Sequence, residues 1–193
     1  LGTGLVARAA PDGTTLLIST ISGMAVGNTL YRDRIQWDAD RDFAHIATIL
    51  GTPYLLLVNP QTPMRTVADF IAAAKRPNGV AYATSGIGSS PHLTMELFTQ
   101  RTGTEATHVP SRGGATSVMD QIAGTVQVSF QGLGSVVGAV REGRLRVLLV
   151  TSDERSHLLP DVPTAAEAGL HDFTVSSWQA VMAPAGTPAP LLD

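Results

Sequence analysis

The 193-residue chain is 44% hydrophobic and 15% charged, enough apolar content to bury the core of one good-sized domain or of two small lobes. A formal net charge of −3 and the lack of any sizeable Lys/Arg cluster exclude the electrostatic footprint of a nucleic-acid binder. Cysteine is absent, which excludes disulfides, thiolate metal sites and cysteine nucleophiles, and no apolar run reaches the ~18 residues of a membrane span.

The opening LGTGLVARAAPDG has neither an initiator Met nor a signal-peptide layout, so the chain reads as trimmed. GTGLVARAA reads as the tail of a helix closed by Pro11-Asp12-Gly13, and TTLLIST as a short strand. GMAVGNTLYRD is a weak helix and WDADRDF a polar connection. HIATIL and YLLLV are two strands parted by Gly51-Thr52-Pro53, and the unalternating Leu55 to Val58 predicts a central strand covered on both faces. Val67, Phe70, Ile71 and Ala74 recur with helical spacing, so residues 66–76 form an amphipathic helix with Thr66 as its N-cap.

From there strands and helices alternate. Strands are expected at 80–84, 105–109, 125–130 and 144–151, and helices at 91–101, 115–123 and 135–142. That order means an α/β domain with a largely parallel sheet. Gly103, Gly124, Gly143 and Gly169 stand where helices should stop. PTAAEAG carries a capping box, Thr164 with Glu167, that predicts a short helix. WQAVM reads as one more strand before a Pro-rich exit.

The chemistry concentrates in YATSGIGSSPH, residues 82–92. A dinucleotide loop would need glycine where Pro91 stands, and no Gly-Lys-Ser/Thr occurs anywhere. A nucleophile elbow would need Gly-x-Ser-x-Gly, whereas the loop reads Gly-Ile-Gly-Ser-Ser. What remains is a strand, two glycines that allow close backbone approach, Ser90 as helix cap and Pro91 at the first helical position. Unpaired amides around 85–92, serine hydroxyls and the helix dipole would then converge on an anion; simple capping of the helix is the alternative.

HVPSRGGATSVMDQIAG repeats the plan, and in a parallel sheet both loops leave the same carboxyl edge. Arg112 could add a bidentate carboxylate contact, its other reading being a solvated surface residue. His92 reads as a local cap. His45, His108, His157 and His171 are scattered without metal-ligand spacing, and Glu96 and Asp120 lack the fixed partner that paired-carboxylate catalysis needs. Trp178 reads first as a packing residue.

YATSGIGSSPHLTMELF, HVPSRGGA, REGRLRVLLVTSDERSHLLPDVPTAAEAGL and SSWQAVMAPAGTP together resemble the solute-binding proteins of tripartite tricarboxylate transporters, the TctC or Bug family. ARAAPDGTTLLIST and the run from WDADRDF to LLLVNP fit as well. The resemblance implies an α/β, two-lobed periplasmic-binding-protein architecture of type II, the Venus flytrap. Residues 1–57 and 176–193 would form lobe one, incomplete at both ends, and 58–175 lobe two. It implies a periplasmic, non-enzymatic monomer without cofactor or metal, which captures a small carboxylate for membrane permease subunits or a sensor.

By the same resemblance the loop from Thr84 through Ser85, Gly86, Gly88 and Ser89 to Ser90 holds a ligand carboxylate through amides and hydroxyls. His92, Arg112, Gly113, Gln131 and, in lobe one, Ser22 complete the candidate set. Gln131 stands where relatives commonly carry Asp, which favours a plain carboxylate over an amino acid. Family members also usually carry a strand and a Pro/Gly-rich loop ahead of GTG, and helices beyond GTPAP. Without them the chain is expected to bind weakly or not at all. An α/β enzyme using the Ser/Gly loop as an oxyanion site is the competing reading, and an interaction module built on one lobe a third.

Overall fold

The chain divides into two compact units, Leu1–Gly51 with Ser177–Asp193, and Thr52–Ser176. The computed structural model describes residues 2–77 and 79–193; Leu1 and Asn78, which fall inside the expected first and second lobes, lie outside the described residues. The first division precedes the 57/58 position read from the sequence, because Leu55 to Val58 pair with strands of the second unit.

The first unit begins with α1 (Gly2–Val6) and β1 (Leu17–Thr20). The weak helix expected next is a π turn over Ser22–Val26 followed by α2 (Gly27–Leu30). Strand β1 pairs antiparallel with β7 (Ser176–Pro184), Leu17 opposite Met182 and Thr20 opposite Gln179. Leu17, Met24, Ala39, Phe43, Ala180 and Met182 form its core, with Trp37 and Trp178 packed against them.

Strand β2 (Phe43–Val58) is one continuous strand of 16 residues where the sequence predicts two. Pro53 does not break it, since pairing to β5 (Val128–Gly132) starts at Tyr54 and pairing to β6 (Arg146–Val150) at Leu55. On those neighbours no ladder partner waits for the N–H that proline lacks. The second unit's sheet runs β6, β2, β5, β3 (Val80–Thr84), β4 (Ala106–Pro110). Strands β5, β3 and β4 are parallel, but β2 enters from the first unit and runs antiparallel to β5 and β6, so the sheet is mixed and not largely parallel.

The apolar run in β2 divides by pleat. Tyr54, Leu56 and Val58 face a core shared with Phe70, Phe98, Phe130 and Phe173, while Leu55 and Leu57 face Leu133, Val136 and Val150. Both faces are therefore dry, as the missing alternation predicts. Helix α3 (Val67–Ala74) starts at a complete capping box between Thr66 and Asp69. Helices α4 (Ser90–Thr102), α5 (Gly114–Ile122) and α6 (Leu133–Arg141) follow β3, β4 and β5. Buried Gln121 locks α5 to the sheet: its Nε2 donates to the Leu57 carbonyl at 2.8 Å and its Oε1 accepts the Ser129 hydroxyl at 2.7 Å.

The helix expected in PTAAEAG is a single turn instead. Its capping box forms, Thr164 N–H to Glu167 Oε2 at 2.8 Å and Glu167 N–H to Thr164 Oγ1 at 3.1 Å. Hydrogen bonds from Val150 N to Pro163 O and from Ala165 N to Val150 O stitch the segment to β6, and Gly169 (φ 89°) ends the turn before a second can form.

Candidate functional site: the carboxyl edge of the second-unit sheet

Strands β4, β3 and β5 lie side by side and parallel, so their carboxyl ends, Pro110, Thr84 and Gly132, open on one edge. Open α/β sheets take ligands at such an edge. The Ser111 N–H donates to the Thr84 carbonyl at 3.0 Å and ties the loops after β4 and β3 together.

The loop after β3 largely satisfies itself. Thr84, fully buried, accepts the Gly86 N–H at 3.1 Å and sits 2.7 Å from His108 Nε2. The Gly86 carbonyl accepts both the Ser89 hydroxyl at 2.7 Å and the Ser89 N–H at 3.2 Å. Gly88 donates its N–H to His92 Nδ1 at 3.2 Å. Positive φ at Gly86 (131°) and Gly88 (75°) turns the chain tightly enough for these bonds. The amides of Gly86, Gly88 and Ser89, expected to be unpaired, are thus already used: in so short a loop the nearest acceptors are its own.

The N-cap position also differs from expectation. It belongs to Ser89 (φ −68°, ψ 155°), whose hydroxyl turns back to Gly86; Ser90 is the first helical residue. Half-buried Ser85 keeps its amide and hydroxyl without a protein partner among the described residues.

The loop after β4 is organised differently. The Ser111 hydroxyl donates to Asp120 Oδ2 at 2.8 Å, fixing the loop on α5. Gly113 occupies the N-cap of α5, and a glycine has no side chain with which to cap it. Nothing lies within 4 Å of where a Cβ on Gly113 or Gly114 would stand, so the helix mouth is open. Arg112 is exposed, and its guanidinium makes no ion pair among the described residues.

Gln131, at the end of β5, is buried and donates Nε2 to Ser117 Oγ at 2.9 Å, so one donor of its amide is held by α5. The structure therefore brings Thr84 to Ser90, His92, Arg112, Gly113 and Gln131 to one unit. Ser22 belongs to the other, at the start of the π turn.

A model of the tripartite tricarboxylate transporter family receptor, TctC, matches residues 1–193. The chain belongs to this family. BugT of Bordetella pertussis (strain Tohama I) is 38% identical over 189 residues, covering 97% of the chain and 58% of BugT. Among solved structures, R. palustris Rpa4515 with adipate superposes at a TM-score of 0.92 with 36% identity, over 98% of the chain and 64% of Rpa4515. MatC (Rpa3494) from Rhodopseudomonas palustris with bound malate gives 0.89 and 30%, over 99% and 65%. The chain thus spans somewhat under two thirds of these relatives. The fold is the α/β architecture of the periplasmic binding proteins.

One constellation in this TctC chain escapes a reading by spacing. Tyr82, His108 and His92 stack beneath the first loop, with ring centroids 4.9 Å apart for Tyr82 and His108 and 4.2 Å apart for the two histidines. The Tyr82 hydroxyl donates to Glu96 Oε1 at 2.6 Å, and burial followed by that carboxylate raises its pKa. Burial, then the neighbouring His92, lowers the His108 pKa, with Glu96 opposing. Aligning the two strand ends, Thr84 with Pro110, sets Tyr82 opposite His108; that register is the signal which would have joined them.

Proposed function

We propose that the chain is the ligand-capturing part of a periplasmic solute-binding protein that takes up a small carboxylate without chemically altering it. The carboxylate seats at the carboxyl edge of β3, β4 and β5, and the protein hands it to membrane permease subunits or to a sensor. The two compact units would serve as its lobes. The observation that carries this reading is the pair of tied loops on one sheet edge, one hydrogen-bonded within itself and one open, in a family whose solved members include proteins with adipate and with malate.

The contacts assigned to the ligand are the Ser85 amide and hydroxyl, the uncapped amides of α5 and the Arg112 guanidinium. Each hydrogen bond to a charged group contributes a net of about 1.5–3 kcal/mol and a helix terminus ~0.3–2 kcal/mol. Part of that is lost to immobilisation, whereas micromolar affinity needs ~8 kcal/mol. The second unit's contacts account for a dissociation constant on the order of millimolar. Tighter binding calls for first-unit contacts, for which Ser22 is the candidate.

Calorimetric titration with adipate and with malate tests the reading. Saturable binding without turnover, weakened in Arg112→Ala, supports it. An absence of saturable binding to any small mono-, di- or tricarboxylate, or product formation that Ser85→Ala abolishes, overturns it.

A further inference from the structure

We infer that His92 is a positioning residue, a latch that holds the Thr84–Ser90 loop in shape only while its Nδ1 is unprotonated. The effect on ligand rests on the carboxylate reading above; the latch itself does not.

Gly88 N–H points at His92 Nδ1, 3.2 Å away, so Nδ1 is the acceptor and the ring proton of neutral His92 sits on Nε2. A proton added to His92 must therefore enter at Nδ1. The imidazolium has two donors and no acceptor, so the Gly88 amide then faces an N–H and its hydrogen bond is lost. Gly88 is buried with φ 75°, and the loop closes around it through the Gly86–Ser89 bonds at 2.7 and 3.2 Å. Losing the Gly88 anchor removes one tie between the loop and α4.

The ring is held by neighbours on three elements. On α4 itself, Glu96 Oε1 lies 3.8 Å from His92 Nε2, and that oxygen also accepts from Tyr82 of β3. On β4, His108 stacks on His92 at 4.2 Å and contacts Thr84 Oγ1 at 2.7 Å. Strand β5, packed against α4, brings no titratable side chain in Val128–Gly132. Burial holds His108 toward its neutral form, and a second charge in a stacked imidazole pair is disfavoured by like-charge repulsion. The stack thus fixes the ring plane while Nδ1 alone changes from acceptor to donor.

The first readout needs no ligand. In the 15N-labelled chain, the Gly88 amide proton should shift with a midpoint equal to that of the His92 ring, followed through its Cε1 proton, while long-range ring couplings show the Nε2–H tautomer at high pH. In His92→Asn, whose side-chain oxygen accepts at every pH, the Gly88 shift should be flat.

The second readout is adipate affinity between about pH 8 and pH 5.5, referred at each pH to the concentration of free adipate dianion so that the ligand's own protonation does not enter. Wild type should weaken by about three- to tenfold toward acid, as loss of one hydrogen bond allows. His92→Asn should be about threefold weaker at pH 8 and flat below it, and His92→Phe weak throughout. A Gly88 signal that ignores the His92 titration, or an Nδ1–H tautomer at high pH, overturns the latch whether or not adipate binds. An acid loss of affinity that persists unchanged in His92→Asn does so as well. Failure of adipate and of every other small mono-, di- or tricarboxylate to bind at pH 8 with the Gly88 titration intact would instead count against the carboxylate reading alone.

Discussion

The two loops on the sheet edge look alike in sequence, each a strand followed by small residues and then a helix, yet they are built for different tasks. The loop after β3 turns its amides inward: Gly86 to Thr84, Gly88 to His92 and Ser89 to Gly86. The loop after β4 spends Ser111 on anchoring itself to Asp120 and leaves the mouth of α5 uncapped beside a free-standing Arg112. The first loop is a shaped wall and the second an open acceptor of charge. Serine and glycine supply conformational freedom and hydrogen-bonding groups in both, and the three-dimensional neighbours decide where those groups are used.

Substitutions should separate the two roles. The largest effect is expected for Gly88→Val, which forces a β-branched side chain into a buried left-handed position (φ 75°). It should cost ~2–3 kcal/mol of stability and abolish ligand binding, as read by urea unfolding and by titration; an unchanged midpoint would mean that the loop is not the rigid wall. Thr84→Val comes next. It strands the Gly86 amide and removes the partner of His108 Nε2, at a cost of about 1–3 kcal/mol that Thr84→Ser should largely restore.

On the open side the pattern reverses. Arg112→Ala should leave stability within ~0.5 kcal/mol, as for other exposed positions, yet weaken carboxylate binding about tenfold, with an affinity loss that high salt mimics. The smallest effect on binding belongs to Ser111→Ala, which deletes the half-buried bond to Asp120, costs ~0.5–1.5 kcal/mol of stability and loosens the approach of Arg112. If Arg112→Ala destabilised the fold as much as Thr84→Val, the division of labour would be wrong.

Acid should act on the shaped side. The folded-state pKa of His108 lies below its ordinary 6.5, chiefly through burial. The unfolded chain therefore binds more protons than the folded one in the window between the folded and the ordinary value. Stability rises with pH wherever the unfolded state holds more protons. The His108 contribution is thus full above about 6.5 and declines as pH falls toward the lower folded value. His108→Gln should flatten that part of the pH-stability curve.

Much of the fold could be read directly from the residues, because local chemistry dictated it. The helix period of Val67, Phe70, Ile71 and Ala74 became α3 with the predicted Thr66 cap, and Gly103, Gly124, Gly143 and Gly169 all have positive φ where helices or turns end. Three of the points that were not legible have a non-local reason. Pro53 suggested a break that the pairing of β2 made unnecessary. The Thr164–Glu167 box nucleated a turn that its stitching to β6 kept from growing. The stack of Tyr82, His108 and His92 depends on the register of β3 with β4, which spacing along one strand does not encode.

The most direct test of the central claim, that a carboxylate seats between the Ser85 amide and the uncapped start of α5 beside Arg112, is a chemical-shift titration of the 15N-labelled chain with adipate. Saturable shifts should concentrate at the amides of Ser85, Gly113 and Gly114 and at Arg112 Nε, with Gly86 and Gly88 moving far less. Saturable shifts elsewhere that leave those four positions still would contradict it.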